Sequence, residues 1–160
     1  MILLDVYVVF HTLDYDWYSR LITRLTGSPV NHCGIMVSPN GQSPVYFLTM
    51  VDKPYKKVDA AAYFRIRPPH RIFYIGSTFQ QSSKIIDLDE AYIITPWKII
   101  LWYRFTRYIF PFWKPNNCAI FTAKVLKSMG FKIKNHTLPL KLLKELEDAD
   151  NYVEWKGESR

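Results

Sequence analysis

The chain has 160 residues, 49% hydrophobic and 22% charged, so it is long enough to bury a core and too apolar to be disordered. A net charge of +7 suggests an anionic partner, but the basic residues are dispersed and no finger, helix-turn-helix or RNP-type motif accompanies them. Two cysteines, Cys33 and Cys118, and four scattered histidines exclude a disulfide framework and offer no metal spacing, so no metal, cofactor or specific nucleic acid is expected.

The opening run "MILLDVYVVFH" is apolar but carries Asp5 and has no basic leader, which predicts a strand over 2–10 rather than a signal peptide. A cytoplasmic location is the expectation that follows, although non-Sec export would leave no trace in such a run. "DYDWYSRLITRLTG" reads as a helix, with Asp14 or Asp16 near its cap and Gly27 as its stop. "VNHCGIMV", "SPNGQSP" and "VYFLTMV" read as strand, turn and returning strand. A basic loop follows, then "YFRIR" and "RIFYIGS" as two more short strands on either side of Pro68 and Pro69. Past the breaks at Pro111 and Pro115, a helix runs from about Cys118 to Met129 with Gly130 to stop it. The last helix, "LPLKLLKELEDA", starts near the cap candidate Thr137. The order predicts one α+β domain over 1–160, a small antiparallel sheet packed against helices.

The stretch "AYIITPWKIILWYRFTRYIFPFWKP" gathers aromatic residues around Lys98, Arg104, Arg107 and Lys114. Its uncharged runs fall well short of the ~20 residues of a membrane-spanning helix. Two readings remain for 97–113: a helix buried nearly all round, or an interfacial belt making peripheral contact with a membrane.

Two residues carry the chemistry. Asn116 and Asn117 are both good N-caps, which places Cys118 in the first turn of its helix. Cys118, Phe121, Thr122, Val125, Leu126 and Met129 then share one apolar face, opposite Lys124, Lys127 and Ser128. Helix-start amides stabilise a thiolate, so Cys118 is either a nucleophile or a small core residue. On "VNHCGIMV", alternation groups Val30, His32, Gly34 and Met36 on one face and Cys33 with Ile35 and Val37 on the other. The small neighbour Gly34 leaves room beside His32 for a substrate or a thiol. Cys33 reads as core.

"LLDVYVVF", "DWYSRLITRLTGSPVNHCGIMV", "NNCAIFTAKVLKSMGF" and "TLPLKLLKEL" together resemble the circularly permuted branch of the NlpC/P60 papain-like superfamily. That branch includes YiiX/YebB-type hydrolases and, more distantly, lecithin–retinol acyltransferase-like enzymes. The likeness rests on His-x-Gly-Ile and Asn-Cys in that order, and is weakest from about 52 to 95. It implies a permuted papain-like fold and a thiol hydrolase, an amidase or peptidase, working through an acyl-enzyme. Cys118 would be the nucleophile and His32 its general base. The amide of Cys118, in the helix start capped by Asn117, would face the oxyanion. The family often orients the histidine with Glu or His from the neighbouring strand. Phe47 stands at about that place here, and Thr49 is the conventional candidate on the same face, with the Gln42 side chain or a backbone carbonyl as alternatives. The implied substrate is a peptide or another amide, and a basic protein suits an anionic cell-wall polymer. Ester or acyl-transfer chemistry on lipid at a membrane surface, and a non-catalytic interaction module of the same fold, are the rival readings.

Overall fold

The apolar run at the N-terminus becomes the middle of the sheet, with Val6, Val8, Val9 and Phe10 fully buried and Asp5 and Tyr7 only partly so. The computed structural model describes residues 2–12, 17–41, 45–49, 56–80, 117–136, 138–150 and 152–155. Among them β1 (Ile2–His11) pairs antiparallel with β2 (His32–Pro39) on one side and with β5 (Arg71–Gln80) on the other. β3 (Tyr46–Thr49) and β4 (Lys56–Asp59) extend the β2 side, and β6 (Val153–Glu154) adds to β5. The order is β4-β3-β2-β1-β5-β6, an open antiparallel sheet.

Alternation along β1 sorts the core into two layers. Val6, Val8 and Phe10 point to the side holding α3 (Cys118–Ser128) and α4 (Pro139–Glu147), where Phe121, Leu126, Leu142 and Leu146 are fully buried. Burying each such side chain stabilises the fold by about 1.5–3 kcal/mol, which makes this the dominant layer. Val9 points the other way, to a smaller cluster with Met36, Phe47, Ala60 and Ile72. Tyr63 and Phe64 of α2 (Ala60–Ile66) close that side. The first helix, α1 (Trp17–Thr26), lies between β1 and β2 in the chain and ends at Gly27, whose φ is +61°. Asn31 fastens it to β2 by donating to the Ser19 carbonyl and to Thr23 Oγ1.

The element order follows the sequence reading, with three differences. "YFRIR" is not a strand: residues 60–66 form α2. Asp59 caps it by accepting from the Ala62 amide, and three consecutive alanines favour helix more than the short alternation after them favours strand. The basic loop contains β4, which pairs with β3. β6 follows the last helix and is two residues long. Arg71 holds that end together, reaching Glu147 of α4 and, at 2.6 Å, Glu154 of β6.

α3 ends in a Schellman turn: Phe131 donates to the Leu126 carbonyl and Gly130 to that of Lys127, with Gly130 at φ +92°. α4 begins on Pro139, which needs no amide partner there. The cap candidates Asp14, Asp16, Asn116 and Thr137, the Gln42 side chain and the aromatic segment 97–113 lie outside the described residues. Among the described residues no helix is long and apolar enough to cross a membrane.

Candidate active site

Asn117 sets the position of the cysteine. Its backbone is extended (φ −147°, ψ 175°) and its Oδ1 accepts from the Ile120 amide at 3.0 Å. Its carbonyl accepts from Phe121 at 2.9 Å, the first turn of α3. Cys118 is therefore the first helical residue, among amides that have no acceptor within the helix. It is nearly buried, at 6% exposure, as are Asn117 and His32. α3 packs against β2, and this brings its start to the end of the strand that carries His32.

His32 opens β2, and its Nε2 lies 2.6 Å from Thr49 Oγ1 on β3. The β2–β3 register pairs Ile35 with Leu48, and continuing it by one place sets Thr49 opposite Gly34, diagonal to His32. Thr49 is 1% exposed, so this hydrogen bond is shielded from water. The space beside His32 is not the open approach that Gly34 suggested. A Cβ at Gly34 would meet Phe47 Cζ at 2.6 Å and the Leu48 carbonyl oxygen at 2.7 Å. The glycine admits the Phe47 ring, which stands at about the place where the resemblance puts a polar orienting residue.

Cys33 is buried as expected, but it is not surrounded only by apolar atoms. Its sulfur lies 3.6 Å from Thr122 Oγ1, one turn after Cys118 on α3, with the Cys118 thiol beside it. The His32 side chain lies on the other side of this pair and acts on the Cys118 thiol electrostatically. Together these set the ionisation. The hydrogen bond from Cys33 and then the charge and hydrogen bond of His32 outweigh burial and hold the Cys118 thiol well below its ordinary range. Burial and the same contact with Cys118 push the Cys33 thiol well above it. One sulfur is held as the thiolate and its neighbour as the donor.

His11 belongs to this site too, although a histidine that ends a strand carries no local signal to single it out. It pairs in register with His32, and the two rings are 6.0 Å apart. It is fully buried among Phe47, Tyr63 and Phe64. Its Nδ1 lies 3.3 Å from the Pro68 carbonyl, which makes Nδ1 the protonated nitrogen and Nε2 a bare acceptor with no partner among the described residues. Burial first, and the charge of His32 second, lower its pKa from 6.5 to about 3. Below about pH 6.5 the unfolded chain therefore binds a proton that the folded chain refuses. Stability should fall by up to about 1.4 kcal/mol per pH unit from this group as pH drops toward its folded pKa. Urea midpoints at pH 7 and about pH 4.5 test this. His11→Gln should lose less stability on acidification than the unaltered protein, and equal losses would refute the assignment.

Among the described residues no group of His, Cys, Asp and Glu could hold a metal ion. A separate cleft of about 420 Å³, lined by Asp5, Tyr7, Tyr74, Val153, Glu154 and Trp155, contains none of Cys118, His32, Thr49, Cys33 and His11. Comparison with family models, with curated proteins and with solved structures gives no match to this chain.

Proposed function

We propose that the protein is a thiol hydrolase of permuted papain-like fold, an amidase or peptidase in which Cys118 forms an acyl-enzyme with a peptide or other amide. The observation that carries this reading is the chain of contacts at the start of α3: Cys118 to His32, and His32 to Thr49. A buried thiolate beside an imidazole fixed from its far side is the arrangement that nucleophilic catalysis needs. Thr49 occupies Nε2, so Nδ1 is the nitrogen left to face the sulfur.

The chemistry follows from these positions. The Cys118 thiolate adds to the carbonyl carbon, and the negative oxygen is stabilised by the Cys118 amide at the helix start. The His32 imidazolium gives its proton to the leaving amine as the C–N bond breaks. Neutral His32 then takes a proton from water, whose oxygen attacks the thioester and releases the acid. The net charge of +7 favours an anionic substrate such as a cell-wall peptide.

The test is direct. The protein is mixed with amide and peptide substrates, among them anionic cell-wall fragments, quenched in acid and mapped for an acyl group on Cys118. Turnover that survives Cys118→Ala, or acylation elsewhere only, would end the proposal. Thr49 supplies a finer prediction. Thr49→Val keeps the shape but breaks the bond to His32 and should lower kcat about tenfold with little change in KM, the effect of losing one hydrogen bond of about 1.5 kcal/mol in the transition state. Thr49→Ser keeps the hydroxyl and should recover most of the rate. Equal rates in both variants would remove Thr49 from the mechanism.

A further inference from the structure

Hydrolysis as proposed uses Cys33 only to steady the Cys118 thiolate and gives it no bond to make or break. A core cysteine needs only apolar neighbours, yet this one has the Thr122 hydroxyl at 3.6 Å and the Cys118 thiol beside it. Thr122 and Cys118 occupy the same face of α3 one turn apart, and Cys33 lies against both. The strand and the helix that carry the two sulfurs belong to the same packed core layer, so the pair is held together by the fold. Both thiols are free and buried.

We infer that Cys33 is a resolving cysteine for Cys118: a hydroperoxide oxidises Cys118 to the sulfenic acid, and Cys33 closes on it as an intramolecular disulfide. In the first step the Cys118 thiolate attacks one peroxide oxygen. The O–O bond breaks, an S–O bond forms, and hydroxide leaves and takes up a proton as water (with an alkyl hydroperoxide, the alcohol leaves). Sulfur supplies the two electrons. In the second step the Cys33 sulfur attacks the Cys118 sulfur. The S–O bond breaks, the Cys33 proton accompanies the departing hydroxide as water, and the S–S bond forms. The two thiols together lose two electrons and two protons, and the peroxide is reduced to water. A dithiol reverses the change by exchange.

The placement explains why closure outpaces overoxidation. A sulfenic acid with no thiol beside it goes on to the sulfinic acid, which a dithiol does not rescue. Here the second thiol is packed, in the same core layer, against the face of α3 that carries the first. The negative charge of the Cys118 thiolate, which helps to keep Cys33 protonated, vanishes once Cys118 is oxidised. Cys33 then becomes the better nucleophile at the moment its attack is required. The resulting disulfide removes the nucleophile of the proposed hydrolase and protects it until reductant returns.

The inference uses the thiolate of that site but none of its acyl chemistry, and mass is the readout, so the two ideas fail separately. The full chain is treated briefly with hydrogen peroxide near neutral pH, blocked, and analysed intact and after digestion. The expected result is a loss of two hydrogen masses, one peptide pair linking Cys33 to Cys118, and full return on treatment with a dithiol. Cys33→Ala should instead gain one oxygen mass at Cys118, trappable by a sulfenic-acid reagent, and then a second oxygen that the dithiol does not remove. Unaltered protein that gains oxygen at Cys118 with no linked pair would overturn the proposal, as would a Cys118 inert to peroxide. The mapping on unaltered protein decides the matter even where Cys33→Ala folds poorly.

Discussion

His32→Ala should slow alkylation of Cys118 at about pH 6 by at least tenfold, with the difference closing above the ordinary thiol range near pH 8.5. His32 stabilises the Cys118 thiolate both by its charge and by a hydrogen bond, and removing it takes away both at once. A hydrogen bond to a charged group alone contributes about 1.5–3 kcal/mol, or one to two orders of magnitude in thiolate fraction. The sign is fixed: with His32 gone the Cys118 pKa rises, so less thiolate remains at low pH while the rate at high pH is nearly unchanged. The profile should not return all the way to that of a free thiol, because the hydrogen bond from Cys33 is the largest of the stabilising contacts and survives the mutation. Cys33→Ala should raise the profile as well, and the double variant more than either. Cys33 itself should alkylate slowly at every pH, since it is fully buried and its pKa is raised. An alkylation profile indifferent to His32→Ala would reduce Cys118 to packing.

The parts of this site that the sequence disclosed are those written in short-range chemistry. Asn117 before an i, i+3, i+4 apolar series places Cys118 at a helix start, and that inference needs no other part of the chain. Alternation along "VNHCGIMV" puts Cys33 on the face of Ile35 and Val37, and all three are in the main core layer. What alternation does not give is the end of the strand. At the N-terminal end of β2 the start of α3 reaches the side chains of both His32 and Cys33, although successive residues point to opposite faces. His11 was hidden for a related reason: only the antiparallel register of β1 with β2 sets it against His32, 21 positions away. That register was in principle open to reading, because β1 ends and β2 begins at a histidine. The helix at 60–66 is not legible in "YFRIR" alone, because the Asp-Ala-Ala-Ala before it supplies the cap that decides the local structure.

Gly34→Ala should be among the most damaging single-methyl changes available to this chain. Gly34 pairs with Val9 in the middle of the sheet, and its φ is not in the left-handed region, so backbone freedom is not the reason for glycine. The reason is space. The added methyl would lie 2.6 and 2.7 Å from two carbons of the Phe47 ring and 2.7 Å from the Leu48 carbonyl oxygen, closer than real contacts allow. The ring is fully buried against His11, Tyr63 and Phe64, and the carbonyl belongs to the strand paired with β2, so neither yields cheaply. Overpacking of this kind costs about 1–3 kcal/mol and sometimes more, against a total stability of about 5–15 kcal/mol for a domain. A fall in Tm of about 5–10 °C is the expected reading. Pushing β3 away would also lengthen the bond between His32 and Thr49, so the alkylation profile of Cys118 should move upward even in the folded fraction. Phe47→Ala in the same chain removes the two ring contacts but leaves the carbonyl, so the pair of changes should cost less than the sum of the two alone without restoring full stability. Measured Tm values for the four proteins of that cycle decide it: a neutral Gly34→Ala, or strict additivity with Phe47→Ala, would show that the ring does not press on the glycine.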